Sequence, residues 1–540
     1  MDRNLQPLGQ RHPGSSPGSA LDDAEPELPP KGGTQARAFT ASYANFLIAV
    51  TSSLVVTPIF LHALGREQYG LWLAVSSWLA YLSLTNAGFP QATQNRAAEA
   101  YAQGRREDVA RSLVAGAWAT ALLAVVTIAL FILGIASGVV SSSSIDASLA
   151  TRRSLVPVLA LTAGAYMISL PAEQFRAVLR ASDRVALAQM ITAGGLVVTA
   201  SAGIVAVWLR PTVLAFAVSQ ASVMVATALV SVVATVRVVH RFGARLDVRS
   251  VSASEVRSLL SPSFLFLVIA LGGTLIWSTD NLVIAWHLGI AQVAPYAISL
   301  RLMTIGSSAI GAIVVTLLPS VTRLWATGEV ERLRAFSVLA TRVTVGVSAV
   351  LVVEFILVGR AFIMRWVGTG GLVSRSTFYV FVAIFFVRAL AQSMELVVIG
   401  LSRHKSYAAM VIGEGMLNLV LSLVLVRHLG AFGVALGTLL AQSLCTGWFL
   451  PWWAMRTLGL RLQPLARSLL TAFAAALVAW LAGRTLVAIV PLGSWPSLVV
   501  VSVTVAAAYC GAYAYVGLTA VERRRFVAVA RQGLARTGPR

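Results

Sequence analysis

The sequence predicts an all-α integral membrane protein of about fourteen transmembrane helices, built as two parallel six-helix repeats that form two lobes, with two extra helices at the C-terminal end. Three observations carry that prediction. The 540 residues are 57% hydrophobic and only 12% charged, with a mean hydropathy of +0.79, which is too apolar for a water-soluble globule. The basic residues alternate from loop to loop, and the two halves repeat at a nearly fixed spacing.

Residues 1–38 are rich in Pro, Gly, Ser and mixed charge and lack the basic start and apolar middle of a cleavable signal, so they predict a disordered cytoplasmic arm. From Ser42 to about Gly517 the apolar segments then follow almost without pause, each near the roughly 20 residues that a membrane-crossing helix needs. The predicted spans are 42–64, 71–93, 112–137, 154–175, 185–208, 212–236, 260–286, 293–318, 337–359, 377–401, 406–427, 431–455, 466–488 and 495–518. Residues 39–240 hold spans 1 to 6 as an N-lobe, 241–457 hold spans 7 to 12 as a C-lobe, 458–520 hold spans 13 and 14, and 521–540 form a basic cytoplasmic tail. A transmembrane β-barrel would show short alternating segments instead.

The net charge of +21 and pI near 11.2 invite a nucleic-acid reading. Placement of the charge argues otherwise. With span ends counted in their adjoining loops, 31 of the 42 Lys and Arg residues fall in the arm, the tail and every second loop, while the alternate loops hold nine; Arg301 and Arg388 lie deeper inside spans. This is the positive-inside pattern, and it predicts both termini in the cytoplasm of a multi-pass protein with no nucleic-acid partner. Cys445 and Cys510 lie within spans, which makes a structural disulfide an unneeded assumption.

The repeat begins with "FLHALGREQYGLW" at 60–72 and "AWHLGIAQVAPY" at 285–296. Gly65 and Gly289 stand 224 residues apart, as do Gly104 and Gly328, Ala102 and Ala326, and Glu107 and Glu331. Further on, residues 181–195 resemble 401–415 at an offset of 220, matching Ser182 with Ser402, Met190 with Met410 and Gly195 with Gly415. Six spans per copy is an even number, so both copies enter the membrane in the same direction. Gly65 then ends the first helix at an outer hairpin turn, and Tyr69 and Trp72 are expected in the headgroup layer as interface anchors.

Several chemistries are disfavoured. The two lysines, Lys31 and Lys405, sit outside any Gly-rich phosphate-cradling spacing, and the six histidines are scattered without zinc-like spacing. No cofactor is implied. The outer loops near 138–153 and 360–376 are short for an enzyme that polymerises or ligates glycans, although Asp146, His62 and His287 are the residues such an enzyme would draw on.

Charges stranded in spans are the informative residues, since each costs about 2.5 to 3.5 kcal/mol at a helix centre and so tends to face a cavity or a partner. Arg301 lies eight residues into span 8, roughly 12 Å below the outer surface at about 1.5 Å per residue. Asp280, on the neighbouring span 7, is expected at similar depth, and the two are expected to pair or to face one central cavity. Arg388 in span 10 has Glu395 seven residues on and nearly the same face, close enough to the inner boundary to be solvated. Glu354 and Glu414 are candidate proton carriers. Arg96, Arg105 and Arg106, with Arg323, Arg332 and Arg334 in the second half, ring the predicted cytoplasmic side.

"LGREQYGLW", "QNRAAEAYAQGRRED", "STDNLVIAWHLG" and "LLPSVTRLWATGEVERL" together resemble the Wzx-type polysaccharide-biosynthesis flippases. These belong to the superfamily that also holds the multidrug MATE antiporters and the lipid II flippases. The likeness covers roughly 40–455; spans 13 and 14 depart from the commonest twelve-helix pattern. It implies a transporter rather than an enzyme, in a bacterial plasma membrane, with two lobes rocking around a central cavity. Its cargo would be an undecaprenyl-diphosphate-linked oligosaccharide for O-antigen, capsule or exopolysaccharide. Arg301 and Arg388 would then contact the diphosphate, Asp280, Glu354, Glu395 and Glu414 would serve ion coupling or charge pairing, and Arg96 and Arg323 would gather the anionic lipid at the cytoplasmic mouth. Membrane lipids, a coupling proton or sodium ion and other polysaccharide-assembly proteins are the expected partners. A lipid II flippase, a cation-coupled antiporter of the MATE type and, further off, a membrane glycan polymerase or ligase remain the alternatives.

Overall fold

The computed structural model describes residues 32–86, 88–137, 147–247, 252–401 and 404–516. Most of the predicted arm, Asp146, Ser402 and the basic tail lie outside the described residues. Within them the chain is built of α-helices joined by turns and by short 3-10 and π-helical segments. In order, the helices are α1 (Gly32–Leu82), α2 (Phe89–Ala102), α3 (Arg106–Ala136), α4 (Leu149–Ser169), α5 (Ala172–Ala181), α6 (Val185–Leu209), α7 (Val213–Arg241), α8 (Ala253–Trp277) and α9 (Thr279–Leu288). The second half continues with α10 (Val293–Ala326), α11 (Val330–Glu354), α12 (Arg360–Val367), α13 (Arg375–Gly400), α14 (His404–Leu444), α15 (Thr446–Leu458), α16 (Leu462–Ile489) and α17 (Trp495–Val516).

Among the described residues, ten helical runs are long and apolar enough to cross a membrane, and twelve if α4 with α5 and the two parts of α8 each count as one bent span. Two of the longest runs hold two crossings each. Leu47–Asn86 spans 40 residues and Lys405–Leu458 spans 54; at about 1.5 Å per residue even the shorter measures about 60 Å, twice the hydrocarbon core. Each contains a glycine off the helical path, Gly65 (φ 73°, ψ 171°) and Gly430 (φ 57°, ψ −140°), where the chain doubles back. Tyr69 returns to within hydrogen-bonding reach of Thr57, and Thr438 hydrogen-bonds Asn418 at 3.1 Å. Reading both runs as hairpins raises the twelve crossings to fourteen.

The repeat has a backbone signature. Gly289 (φ 88°, ψ 156°) adopts nearly the same conformation as Gly65, and Gly104 and Gly328 share a φ of 72°. Open space surrounds the position a Cβ would take at Gly65, so it is the dihedral that demands glycine there.

The largest core cluster gathers residues of α1, α9, α10 and α13 around Tyr296, Phe378, Phe381 and Phe385. The predicted extra helices α16 and α17 pack as a pair on α11. Ala472, Ala475, Ala479 and Gly483 line one face of α16, and small residues at that spacing let helix backbones approach closely.

Candidate functional site

A cavity of about 490 Å³ lies between the two hairpin halves of α1, the middle of α6, the start of α7, the break between α8 and α9, and the first turns of α10. Among the described residues that line it, Arg301 is the only charged side chain. Its Nε donates to the Ser53 hydroxyl at 2.9 Å, a contact across 248 residues of sequence that joins the first repeat to the second. Hydroxyls and amides supply most of the remaining polarity, as at Ser76, Gln220, Asn281 and Thr304.

Tyr69 and Trp72 are turned into the bundle rather than toward a headgroup layer. The Trp72 and Phe60 rings meet Phe216 edge-on at 4.6 and 4.2 Å. The turn at Gly65 sets the two flanking helices side by side, so residues just before and just after it share a face with α7, and burying three rings there outweighs interfacial anchoring.

At the end of the bundle that carries the Gly65 and Gly289 turns, the repeats are drawn together. Arg66 donates to the Thr369 carbonyl at 3.2 Å and the Trp366 indole to the Leu54 carbonyl at 2.6 Å. A Cβ added at Gly70 would stand 2.2 Å from the Ile290 carbonyl oxygen, so only glycine permits this approach. At the opposite end, α2 meets α8 through Phe89, Ala92 and Leu259, and Arg96 donates to Ser258 at 2.8 Å. Arg96 therefore clips two elements together where the sequence reading gave it to lipid capture. Arg323 is exposed near that same end, by the Gly328 turn and Glu329. The Glu329 carboxyl is held below the usual carboxylate range by the Thr327 hydroxyl and by Arg332.

Asp280 and Arg301 do not pair. Asp280 is 3% exposed and takes hydrogen bonds at Oδ2 from the Tyr296 hydroxyl at 2.8 Å and from Thr438 at 3.0 Å. The expectation assumed one continuous span 7, whereas the helix breaks at Ser278 and restarts as α9, aiming Asp280 at α14. Tyr296 precedes Arg301 by five residues on α10, which places their side chains about 140° apart at about 100° per residue. Around Asp280 stand Asn418, held by the Ile276 carbonyl at 3.2 Å, and Ser422 at 3.1 Å from Asn418. The second oxygen, Asp280 Oδ1, is buried and has no hydrogen bond of ordinary geometry among the described residues, with Asn418 close to the carboxylate. One carboxylate with amide and hydroxyl oxygens is a donor set for a hard monovalent cation or a proton. Among the described residues, no group of three or more His, Cys, Asp or Glu is placed to hold a metal.

Arg388 is likewise engaged elsewhere. Its guanidinium pairs with Glu395 at 2.9 Å, both side chains being largely buried, and the Tyr407 hydroxyl donates to the same Glu395. Glu395 is thus a partner in an intramembrane ion pair rather than a solvated boundary residue, because a guanidinium within the bundle needs a counter-charge. Glu414 is buried and accepts the Thr446 backbone N–H at 3.1 Å, at the first turn of α15 where amides are otherwise unpaired. Glu354 stands at the end of α11 beside Ser502 of α17. None of these four lines the cavity that contains Arg301.

Residues 39–325, more than half of the chain, match the family described as polysaccharide biosynthesis protein. The chain belongs to that family. This family member is also 23% identical over 262 residues to an uncharacterized membrane protein, EpsK, of Bacillus subtilis (strain 168). That alignment takes in 48% of this chain and 51% of the other, so the chain spans about half the length of the curated relative it matches. Among solved structures, the inward closed conformation of the lipid II flippase MurJ superposes with a TM-score of 0.66 at 10% identity, over 88% of this chain and 98% of that one. The inward-facing conformation of a multidrug resistance MATE family transporter of the MOP superfamily gives 0.62 at 13% identity, over 77% and 98%. At such identities the likeness establishes the fold alone: this is a multi-pass membrane protein with the helical fold of those two transporters.

Sequence reasoning missed Ser53, Trp277 and Gln220 in the cavity and Tyr296, Asn418 and Thr438 around Asp280. One signal was in view. The run "STDN" at 278–281 places four polar residues in succession inside an apolar span, a pattern that a continuous lipid-packed helix would not carry.

Proposed function

We propose that this family member is a flippase that carries an undecaprenyl-diphosphate-linked oligosaccharide repeat unit across the bacterial plasma membrane for surface polysaccharide assembly, by alternating access between its two lobes. It is read as a transporter and not an enzyme, with both termini in the cytoplasm and the Gly65 and Gly289 turns at the outer face. One observation carries the reading: a cavity between the two repeats whose polar wall holds one arginine, already bridged to the opposite repeat through Ser53. A cation in the cavity wall compensates the phosphate charge, and hydroxyl and amide walls replace water around the sugar. Moving two negative charges out of an interior-negative cell releases roughly 4 to 5 kcal/mol per 100 mV, enough to drive export.

Asp280 serves as the coupling residue in this proposal, its second oxygen taking a sodium ion or a proton as the lobes exchange. Arg388, paired with Glu395, is withdrawn as a diphosphate contact. The antiporter alternative calls for acidic groups facing a cationic cargo, and among the described residues the cavity wall holds none.

The experiment is transport of a fluorescent undecaprenyl-diphosphate oligosaccharide in proteoliposomes under an imposed potential, comparing wild type with Arg301→Ala and Arg301→Lys. Loss in the Ala variant with partial activity in the Lys variant supports the flippase. Uptake of a cationic dye without any lipid movement would move the assignment to the antiporter.

A further inference from the structure

We infer that the cavity selects repeat units whose sugars carry no net charge; the inference rests on the flippase reading and narrows its substrate class. A lipid-linked diphosphate by itself brings about two negative charges, and Arg301 supplies one positive charge among the described lining residues. The phosphate therefore already exhausts the cationic capacity of the wall. Among the described residues the lining holds no second cation: Arg388 is committed to Glu395, and Arg66 donates to the Thr369 carbonyl. A uronic acid, or a sugar bearing a pyruvyl or sulfate group, would place a further anion beside a wall whose one arginine is already taken by the diphosphate, and like charges brought together without a counter-charge repel.

The remainder of the wall fits neutral sugars. Ser76 and Thr304 spend their hydroxyl protons on the Trp72 and Arg301 carbonyls and so offer acceptors, while Gln220 and Asn281 each keep one amide N–H to donate, a mixture that suits sugar hydroxyls and N-acetyl amides, which both donate and accept. A carboxylate only accepts. Both amides also keep protein partners: Asn281 donates to Ser77 at 3.0 Å and Gln220 to the Thr199 carbonyl at 3.1 Å, which fixes their orientation. Trp72 and Trp277 add flat apolar surfaces against which the C–H face of a pyranose ring can rest.

The test uses proteoliposomes and two probes that differ in one group, undecaprenyl-diphosphate carrying a neutral hexose trisaccharide and the same lipid with one hexose oxidised to the uronic acid. The wild type should move the uronate lipid slower by about tenfold or more. Gln220→Lys and, as a second and independent change, Ser76→Lys each add a cation to the wall and should narrow that gap, with detergent-solubilised homogeneity reporting that each variant folds. Equal rates for both lipids, or faster movement of the uronate lipid, overturn the inference and leave the flippase reading in place. If neither lipid moves while both are present in the membrane, the flippase reading fails and takes this inference with it.

Discussion

Arg301 on α10 reaches across the cavity and donates to Ser53 on α1 at 2.9 Å, while the carboxylate once expected to hold it, Asp280, lies on the far side of α10 beneath the Tyr296 hydroxyl. Among the described residues a strong cation is thereby left with one neutral partner in a polar cavity, primed for an anion. Substitution at Arg301 should cost function far more than stability, because the side chain is exposed to the cavity and gives up one hydrogen bond. Arg301→Ala is expected to abolish lipid transport while shifting the melting temperature of the detergent-solubilised protein by no more than a few degrees, a loss of about 1 kcal/mol. A collapse of Tm would instead make Arg301 structural.

The Arg388 and Glu395 pair should behave in the opposite way. Arg388→Ala strands a largely buried carboxylate and is expected to destabilise by about 3 kcal/mol, whereas Arg388→Met with Glu395→Leu should recover most of that loss, since an apolar pair needs no desolvation. Thermal unfolding of the two single variants and the double variant decides it; additive losses would show that the two charges are not coupled.

Gly65 and Gly289 occupy a backbone region that residues with a Cβ rarely enter. Gly65→Ala and Gly289→Ala are each expected to cost about 1 to 3 kcal/mol by strain alone, although space for the methyl group exists at Gly65. Unchanged stability in both variants would mean that the turns relax freely.

Gly70 lies where the repeats touch, and its replacement should act on conformation more than on folding. Gly70→Val forces the Ile290 carbonyl away and should loosen the contact beside Arg66 and Thr369. With Cys445 and Cys510 replaced, a Ser53→Cys probe should then react several-fold faster with a membrane-impermeant maleimide added outside, in keeping with a shift in the populations of two states. Slower or unchanged labelling would count against a closure at that end.

Asp280→Asn keeps the size of the side chain and removes its charge. The variant should still bind the lipid, since Asp280 lies outside the cavity wall, but its transport should no longer respond to an imposed sodium or proton gradient. Retained gradient dependence would take Asp280 out of the coupling role.

The features legible in the residues were those that local chemistry sets. A run of about twenty apolar residues crosses a membrane whatever its neighbours do, so the helices were readable one by one, and the paired glycines disclosed the repeat because a left-handed turn needs the same residue in both copies. Arg301 was legible too, as a cation with no local partner. Its neighbours were not. Asp280 turned away because the helix breaks at Ser278, and a break of one residue rotates everything beyond it onto another face. Arg388 was assigned to the cargo although Glu395 stood on its own helix face, because periodicity reports that two side chains are aligned and not whether a bundle excludes water around them.

By itself, then, the sequence determined a helical membrane protein in two related halves, since hydropathy and turn chemistry act within a few residues of where they are written. Only the tertiary structure decided which buried charges are spent on one another and which one is left facing the cavity, because pairing depends on the approach of segments hundreds of residues apart, as Ser53 and Arg301 are.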